Sequence, residues 1–266
     1  MIRGAVLGSP ITHSLSPRLH RAIFDFLKID GNYEAIEVKS GELSDFFERR
    51  SEEFDYFSLT MPLKEEALAL GLTVDAVATR VQSANTLYRE GDIWKLSSTD
   101  GSGLLQALKE RNLESFSSVL ILGAGGTARA VAGALDSVSN AITVLGRSSN
   151  REEALSQAVE IADFTYMRWQ QNIGFEEYDL VVNTTPAGAA DLLADDVVYG
   201  VSAPLFDVIY NPWPTVLASR WLDCSGVVIN GLELLLYQGI DQVEKLIGEV
   251  PDREALATYL RKIINA

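Results

Sequence analysis

The stretch Val119-Leu120-Ile121-Leu122-Gly123-Ala124-Gly125-Gly126-Thr127-Ala128 decides the fold class. Its four leading apolar residues read as a strand buried on both faces. The next six fit G-x-G-x-x-A, and Thr127 to Leu135 reads as the helix that follows. Glycines permit a tight turn and close backbone approach, and the helix N-terminus then offers unpaired N–H groups to a pyrophosphate. Gly123, Ala124, Gly125, Gly126, Thr127 and Ala128 are therefore candidate dinucleotide contacts. A glycine pattern alone is a weak signal; the strand-turn-helix setting strengthens it, with a plain βα turn as the alternative.

Downstream, Ile142-Thr143-Val144-Leu145 reads as the next strand and runs into Gly146-Arg147-Ser148-Ser149-Asn150-Arg151. A binder of the non-phosphorylated dinucleotide usually carries Asp or Glu there, for the ribose 2′-hydroxyl. Arg147, Ser148 and Arg151 instead suit a 2′-phosphate, which takes charge-assisted and often bidentate donors. NADP(H) is thus the expected cofactor. A solvated helix start explains the arginines less well, because cations oppose the dipole at that end. Tyr178 to Asn183 and Leu205 to Ile209 continue the strand series, and the chain turns helical from Leu232.

Upstream, Ile2 to Leu7 reads as a strand and Gly8-Ser9-Pro10 as a turn. Ser16-Pro17 predicts a helix start, with serine at the cap and proline at the first helical position. Strands at Tyr33–Val38 and Tyr56–Leu59, separated by helical spacing around Leu43, Phe46 and Phe47, favour a mostly parallel sheet. Ala84–Tyr88 and Ile93–Leu96 read as a hairpin at the sheet edge. With no low-complexity linker, the domain boundary is expected in a helix over residues 101–112, and the last helices could return to the first domain.

The length of 266 residues allows one large or two medium domains. Thirty-seven acidic against 22 basic side chains give a net charge of −15, which disfavours nucleic acid and requires a locally positive pocket for any anionic ligand. No apolar run reaches the roughly 18–20 residues of a membrane span. Cys224 is the single cysteine and His13 and His20 the only histidines, which disfavours a metal centre and a disulfide and suggests the cytoplasm. Cys224 itself reads as a buried small hydrophobe.

Two further segments carry chemistry. Ser58-Leu59-Thr60-Met61-Pro62-Leu63-Lys64 places a lone lysine just past a strand end, and Ser98-Thr99-Asp100-Gly101 places a carboxylate shortly before the glycine turn. A Lys–Asp pair beside a nicotinamide can reduce a ketone to an alcohol.

With Ser14-Leu15-Ser16-Pro17, Ser83-Ala84-Asn85-Thr86, Arg147 with Arg151, and Gly231 with Gln238, these segments resemble the shikimate dehydrogenases in order and spacing over nearly the whole chain. The resemblance implies an α/β protein of two α/β domains. The first is a substrate-binding domain over 1–100 with a mostly parallel sheet, completed by helices at about 236–266. The second is a Rossmann NADP-binding domain over 101–235, with the active site expected in the cleft between them. It implies reversible NADPH-dependent reduction of 3-dehydroshikimate to shikimate by a monomer or homodimer.

By the same resemblance Lys64 and Asp100 are the catalytic pair. Ser14 and Ser16 take the substrate carboxylate, Thr60, Asn85 and Gln238 meet the ring hydroxyls, and Ser58, in place of the family's asparagine, is expected to shorten one substrate contact or leave it to water. Thr184 lies along the cofactor, Val208 lines the nicotinamide pocket with Gly231 near it, and Tyr210 approaches the substrate. Each has a blander alternative: Ser16 as a helix cap, Lys64 as a solvated lysine, Asn85 as a local turn cap, Gln238 as an exposed helix residue, Tyr210 as core. His13 reads as a cleft-lining residue without an acid–base role. The chain departs from the family in four places, with Ser58, Ser98 and Gly146 where asparagine is common and Glu233 where a second glycine is common.

The close rival is a quinate/shikimate dehydrogenase of broader specificity, disfavoured by Ser16 and Arg147. A tRNA-linked reductase would need a nucleophilic cysteine in the first domain. A non-catalytic NADP-binding paralogue would be marked by loss of Lys64 or Asp100.

Overall fold

The computed structural model describes residues 1–265 as two compact units. The first comprises Met1–Gly103 together with the chain from Leu235 onward; the second is Leu104–Leu234.

In the first unit the elements run β1 (Ile2–Gly8), α1 (Ser16–Leu27), β2 (Gly31–Glu37), α2 (Leu43–Arg50), β3 (Tyr56–Leu59), α3 (Leu63–Glu66), β4 (Thr73–Val74), α4 (Ala76–Val81), β5 (Thr86–Glu90) and β6 (Ile93–Ser97). The sheet order is β2-β1-β3-β5-β6-β4. Its β2-β1-β3 part is parallel, and β5 is antiparallel to both β3 and β6. The expected hairpin therefore forms but is not the edge. The two-residue β4 pairs with β6 in parallel and takes that place, too short to show any hydrophobic alternation. One face packs on Phe57, Trp94, Leu43 and Leu63, with the Phe57 and Trp94 rings stacked.

The chain leaves this unit in α5 (Asp100–Lys109), a helix the sequence places at 101–112. The second unit follows as β7 (Phe116–Leu122), α6 (Gly126–Leu135), β8 (Ser139–Gly146), α7 (Glu152–Ser156), β9 (Asp163–Arg168), β10 (Leu180–Asn183), β11 (Leu205–Asp207), α8 (Val216–Asp223) and β12 (Val228–Asn230). All its strand pairs are parallel, in the order β12-β11-β10-β7-β8-β9. This is the doubly wound arrangement of dinucleotide-binding folds, with β7 and β10 flanking the point where the winding reverses. The run Val119–Leu122 is buried because the sheet is covered on both faces. Trp221 and Phe175 meet edge-on in the core on one side. The strand β9 alternates in burial and carries no apolar run, which is why the sequence does not reveal it.

The chain returns through α9 (Gly231–Ile247) and ends in α10 (Arg253–Ile264). Among the described residues no helix is long and apolar enough to cross a membrane.

Candidate active site

In the first unit α1 begins one residue earlier than its sequence suggests. Leu15 is the cap, in helical backbone geometry, and Ser16 and Pro17 are the first two helical residues. Ser16 is therefore not the cap. The Ser14 hydroxyl accepts a 3.3 Å hydrogen bond from the Ser16 backbone N–H and keeps its own hydrogen for another acceptor. No acidic side chain stands in the first turn, so the positive end of the helix is not neutralised there. Thr60, at the end of β3, is half-buried, and its backbone N–H bonds to Leu7. His13 is exposed and Cys224 is buried.

Lys64 lies in the single turn of α3, and Asp100 opens α5. Sheet pairing and the 84–86 segment bring them together: the Lys64 carbonyl accepts from the Ala84 N–H at 2.8 Å, and the Lys64 ammonium donates to Asp100 Oδ2 at 2.5 Å. The Lys64 side chain keeps 17% of its surface accessible and that of Asp100 6%, so the pair is shielded yet reachable. Asn85 Nδ2 donates to Asp100 Oδ1 at 2.8 Å and faces Gln238 Oε1 at 3.1 Å. Asn85 Oδ1 in turn accepts from the Thr99 N–H at 2.8 Å and the Thr86 hydroxyl at 2.9 Å. Gln238 is buried on α9, not exposed, and Asn85 is locked by both of its amide atoms.

Ser58 sits beneath this cluster, 5% exposed. The Tyr33 hydroxyl donates to Ser58 Oγ at 2.5 Å, and Ser58 donates to Gln242 Oε1 at 2.5 Å. Gln242 Nε2 then donates to the Asn85 carbonyl at 3.0 Å. The Ser58 proton is thus committed within the protein. Sequence alone does not identify Tyr33, Gln242, Thr86 or Thr99 as functional. Gln242, one turn beyond Gln238 on the same helix, is the available signal for a second inward polar residue.

His20 packs beside this network, its ring stacked on Tyr33 at 4.1 Å and its Nδ1 2.8 Å from the Tyr56 hydroxyl. Burial lowers its pKa to about 3, with the Gln242 side chain opposing that shift. Burial likewise raises the Tyr33 phenol above its usual value.

In the second unit the glycine turn joins β7 to α6. Gly123 has φ +106°, and a side chain there would also meet Thr184 Oγ1 at 2.6 Å. Gly125 caps α6 with no side-chain partner, and no acidic residue occupies the first turn. The space beside its Cα holds no atom within 4 Å of a would-be Cβ, a cradle open at the positive helix end. Thr184 is tied to β7 through its Oγ1, which donates to the Leu122 carbonyl at 2.8 Å.

Arg147, Ser148 and Arg151 are exposed at the end of β8, where Ser148 Oγ accepts from the Asn150 N–H at 3.3 Å. Val208 bonds to the Asn183 carbonyl at 3.0 Å, and Gly231 approaches so closely that a Cβ there would lie 2.0 Å from Val208 O. Tyr210 is half-buried beyond β11. The Asp207 carboxylate organises this segment, accepting from Thr215, Asn183 and the Ile209 N–H, and burial raises its pKa. Glu233, where a glycine is common, pairs with Arg111 at 3.6 Å.

A doubly wound unit with an open glycine turn, joined in sequence to a unit carrying a shielded Lys–Asp pair, defines a dinucleotide-dependent oxidoreductase scaffold. Residues 6–87 match the model of the shikimate dehydrogenase substrate binding domain. The shikimate dehydrogenase (NADP(+)) of Methanosarcina mazei is 33% identical over 277 residues, covering 98% of each chain. The crystal structure of Mycobacterium tuberculosis shikimate dehydrogenase is similar with a TM-score of 0.85 at 33% identity, covering 99% of this chain and 100% of that one. The shikimate 5-dehydrogenase of Thermus thermophilus, solved in complex with NADP(H) and shikimate, gives a TM-score of 0.84 at 30% identity, with 99% and 100% covered. The chain belongs to the shikimate dehydrogenase family.

Proposed function

We propose that the chain catalyses the reversible NADPH-dependent reduction of 3-dehydroshikimate to shikimate. The single observation that carries this is the Lys64–Asp100–Asn85–Gln238 constellation, one ammonium and three neutral or acidic groups around a shielded point. Bound NADPH supplies the hydride to the ketone carbon.

The backbone N–H groups of Gly125, Gly126, Thr127 and Ala128 cradle the pyrophosphate at the start of α6, while Gly123, its own N–H given to the Leu145 carbonyl, and Ala124 shape the turn. Arg147, Ser148 and Arg151 take the 2′-phosphate. Thr184, Val208 and Gly231 line the nicotinamide half. On the substrate side, Ser14 and Ser16 donate to the carboxylate near the positive end of α1.

Lys64 meets the charge that develops on the ketone oxygen. An ammonium carries three donors. One of them holds Asp100, another serves the ketone oxygen once substrate is bound, and the ammonium passes a proton to that oxygen. Asp100 fixes the ammonium and accepts from the neighbouring substrate hydroxyl. Thr60 and Gln238 read the remaining hydroxyls, and Asn85 orients Asp100 and Gln238 around them. The single, buried cysteine fits a cytoplasmic enzyme.

The test follows NADPH absorbance with 3-dehydroshikimate, and the reverse reaction with shikimate or quinate and NADP⁺ or NAD⁺. Turnover is expected with shikimate and NADP⁺ as the preferred pair. Absence of turnover with every pair sinks the proposal, and a preference for quinate with NAD⁺ favours the broader-specificity reading.

A further inference from the structure

The loop that carries Arg147 and Arg151 lies at the surface of the second unit. Residues 147–151 are all exposed, and Gly146, which precedes them, has no side chain to anchor the turn. The space such a side chain would fill is taken from another strand. A Cβ built on Gly146 would lie 2.1 Å from the Tyr166 hydroxyl oxygen, 2.8 Å from its ring carbon Cζ and 3.0 Å from the Cβ of Ala124 in the glycine turn.

Tyr166 stands on β9, opposite Val144 of β8, and its hydroxyl donates a 2.6 Å hydrogen bond to the Ser148 carbonyl. That carbonyl also accepts from the Arg151 N–H at 3.3 Å, so one oxygen gathers both ends of the cationic loop. Trp169, just past β9, adds a backbone bond to the Gly146 carbonyl at 2.9 Å.

We propose that Tyr166 is a specificity-determining positioning residue for the phosphorylated ribose. Its phenol occupies the volume vacated at Gly146, and its hydroxyl pins Ser148 so that Arg147, Ser148 and Arg151 are held ready for a 2′-phosphate. Ordering an exposed loop before the ligand arrives removes an entropic cost from binding. This inference rests on the reading that the loop takes the 2′-phosphate.

The test uses calorimetric binding of adenosine 2′,5′-bisphosphate and of AMP, beside KM for NADPH. Tyr166→Phe removes the hydroxyl alone. It is expected to weaken the bisphosphate and raise KM for NADPH by about 2- to 10-fold, the range one hydrogen bond spans, with AMP affinity and kcat unchanged. Gly146→Ala displaces the phenol and should weaken the bisphosphate at least as much. The double variant should be no worse than Gly146→Ala alone, because both changes break one contact.

Equal losses for AMP and bisphosphate, additive losses in the double variant, or a Tyr166→Phe effect below about twofold would each overturn the role of Tyr166. A wild-type protein that binds AMP as tightly as the bisphosphate would instead overturn the phosphate reading on which it rests.

Discussion

Lys64 and Asp100 lie 2.5 Å apart and each has a second tether, the Lys64 carbonyl to Ala84 and Asp100 Oδ1 to Asn85. In the proposed reaction the ammonium meets charge that develops in the transition state and is absent from the bound ketone. Lys64→Ala should lower kcat by about 10²- to 10⁴-fold while KM for shikimate changes little, as read by steady-state kinetics. A variant that raised KM at unchanged kcat would contradict the role. His20 gives a pH dependence of a different kind. Its folded pKa is lowered to about 3 from 6.5, so between those values the unfolded chain holds one proton more than the folded one. Stability contributed by the neutral ring is full above pH 6.5 and is lost as pH falls towards 3, at up to about 1.4 kcal/mol per pH unit. His20→Phe keeps a ring on Tyr33 but cannot take up a proton. The stability gap between wild type and variant, from urea unfolding at pH 7, 6 and 5, should therefore move in the variant's favour as pH falls. A gap that stays constant would rule the ring out as the titrating group.

At the scale of elements, hydrogen bonds between side chains tie β2, β3 and α9 together through Tyr33, Ser58 and Gln242, and end on the Asn85 carbonyl. Ser58→Ala leaves the Tyr33 hydroxyl without its acceptor and Gln242 Oε1 without its donor, and should cost about 1–3 kcal/mol in urea unfolding. Gln242→Leu should share part of that cost, so the double variant falls short of the sum; full additivity would show the two side chains to be independent. This network also marks the limit of what is legible in the sequence. The doubly wound half is readable from Val119–Leu122 and the glycine turn, because a buried parallel strand and a φ-positive glycine leave residue-type signatures. Lys64, Asp100 and Asn85 are visible as separate motifs through the resemblance. Gln242, Thr99 and Tyr166 are not, because their importance arises from partners 157, 14 and 18 residues away in the chain. The strands β4 and β9 escape for a related reason. Each is set by what pairs with it, not by its own periodicity.

For the molecule as a whole, the −15 charge acts against two anionic ligands, and only the distance over which it is felt decides the outcome. At about 10 mM salt the Debye length is about 30 Å and the whole acidic surface repels NADPH; at about 150 mM it is about 8 Å and the exposed arginines near β8 act nearly alone. The value of kcat/KM for NADPH should therefore rise with added inert salt at first and decline at higher salt as the arginines are screened. A steady fall from the lowest salt would show that the global field is irrelevant.

The discontinuous first unit has a consequence for how the protein is made. Residues 1–103 leave the ribosome well before the chain from Leu235 that supplies Gln238 and Gln242, whereas residues 104–234 emerge as one continuous piece. Domains generally fold as units in the order they are synthesised. The cofactor-binding half can therefore mature on a nascent chain while Asn85 still lacks its partners on α9. Competence arrives only with the chain beyond Leu234, so a chain stalled or cut there carries the whole nucleotide-binding unit without a finished substrate site.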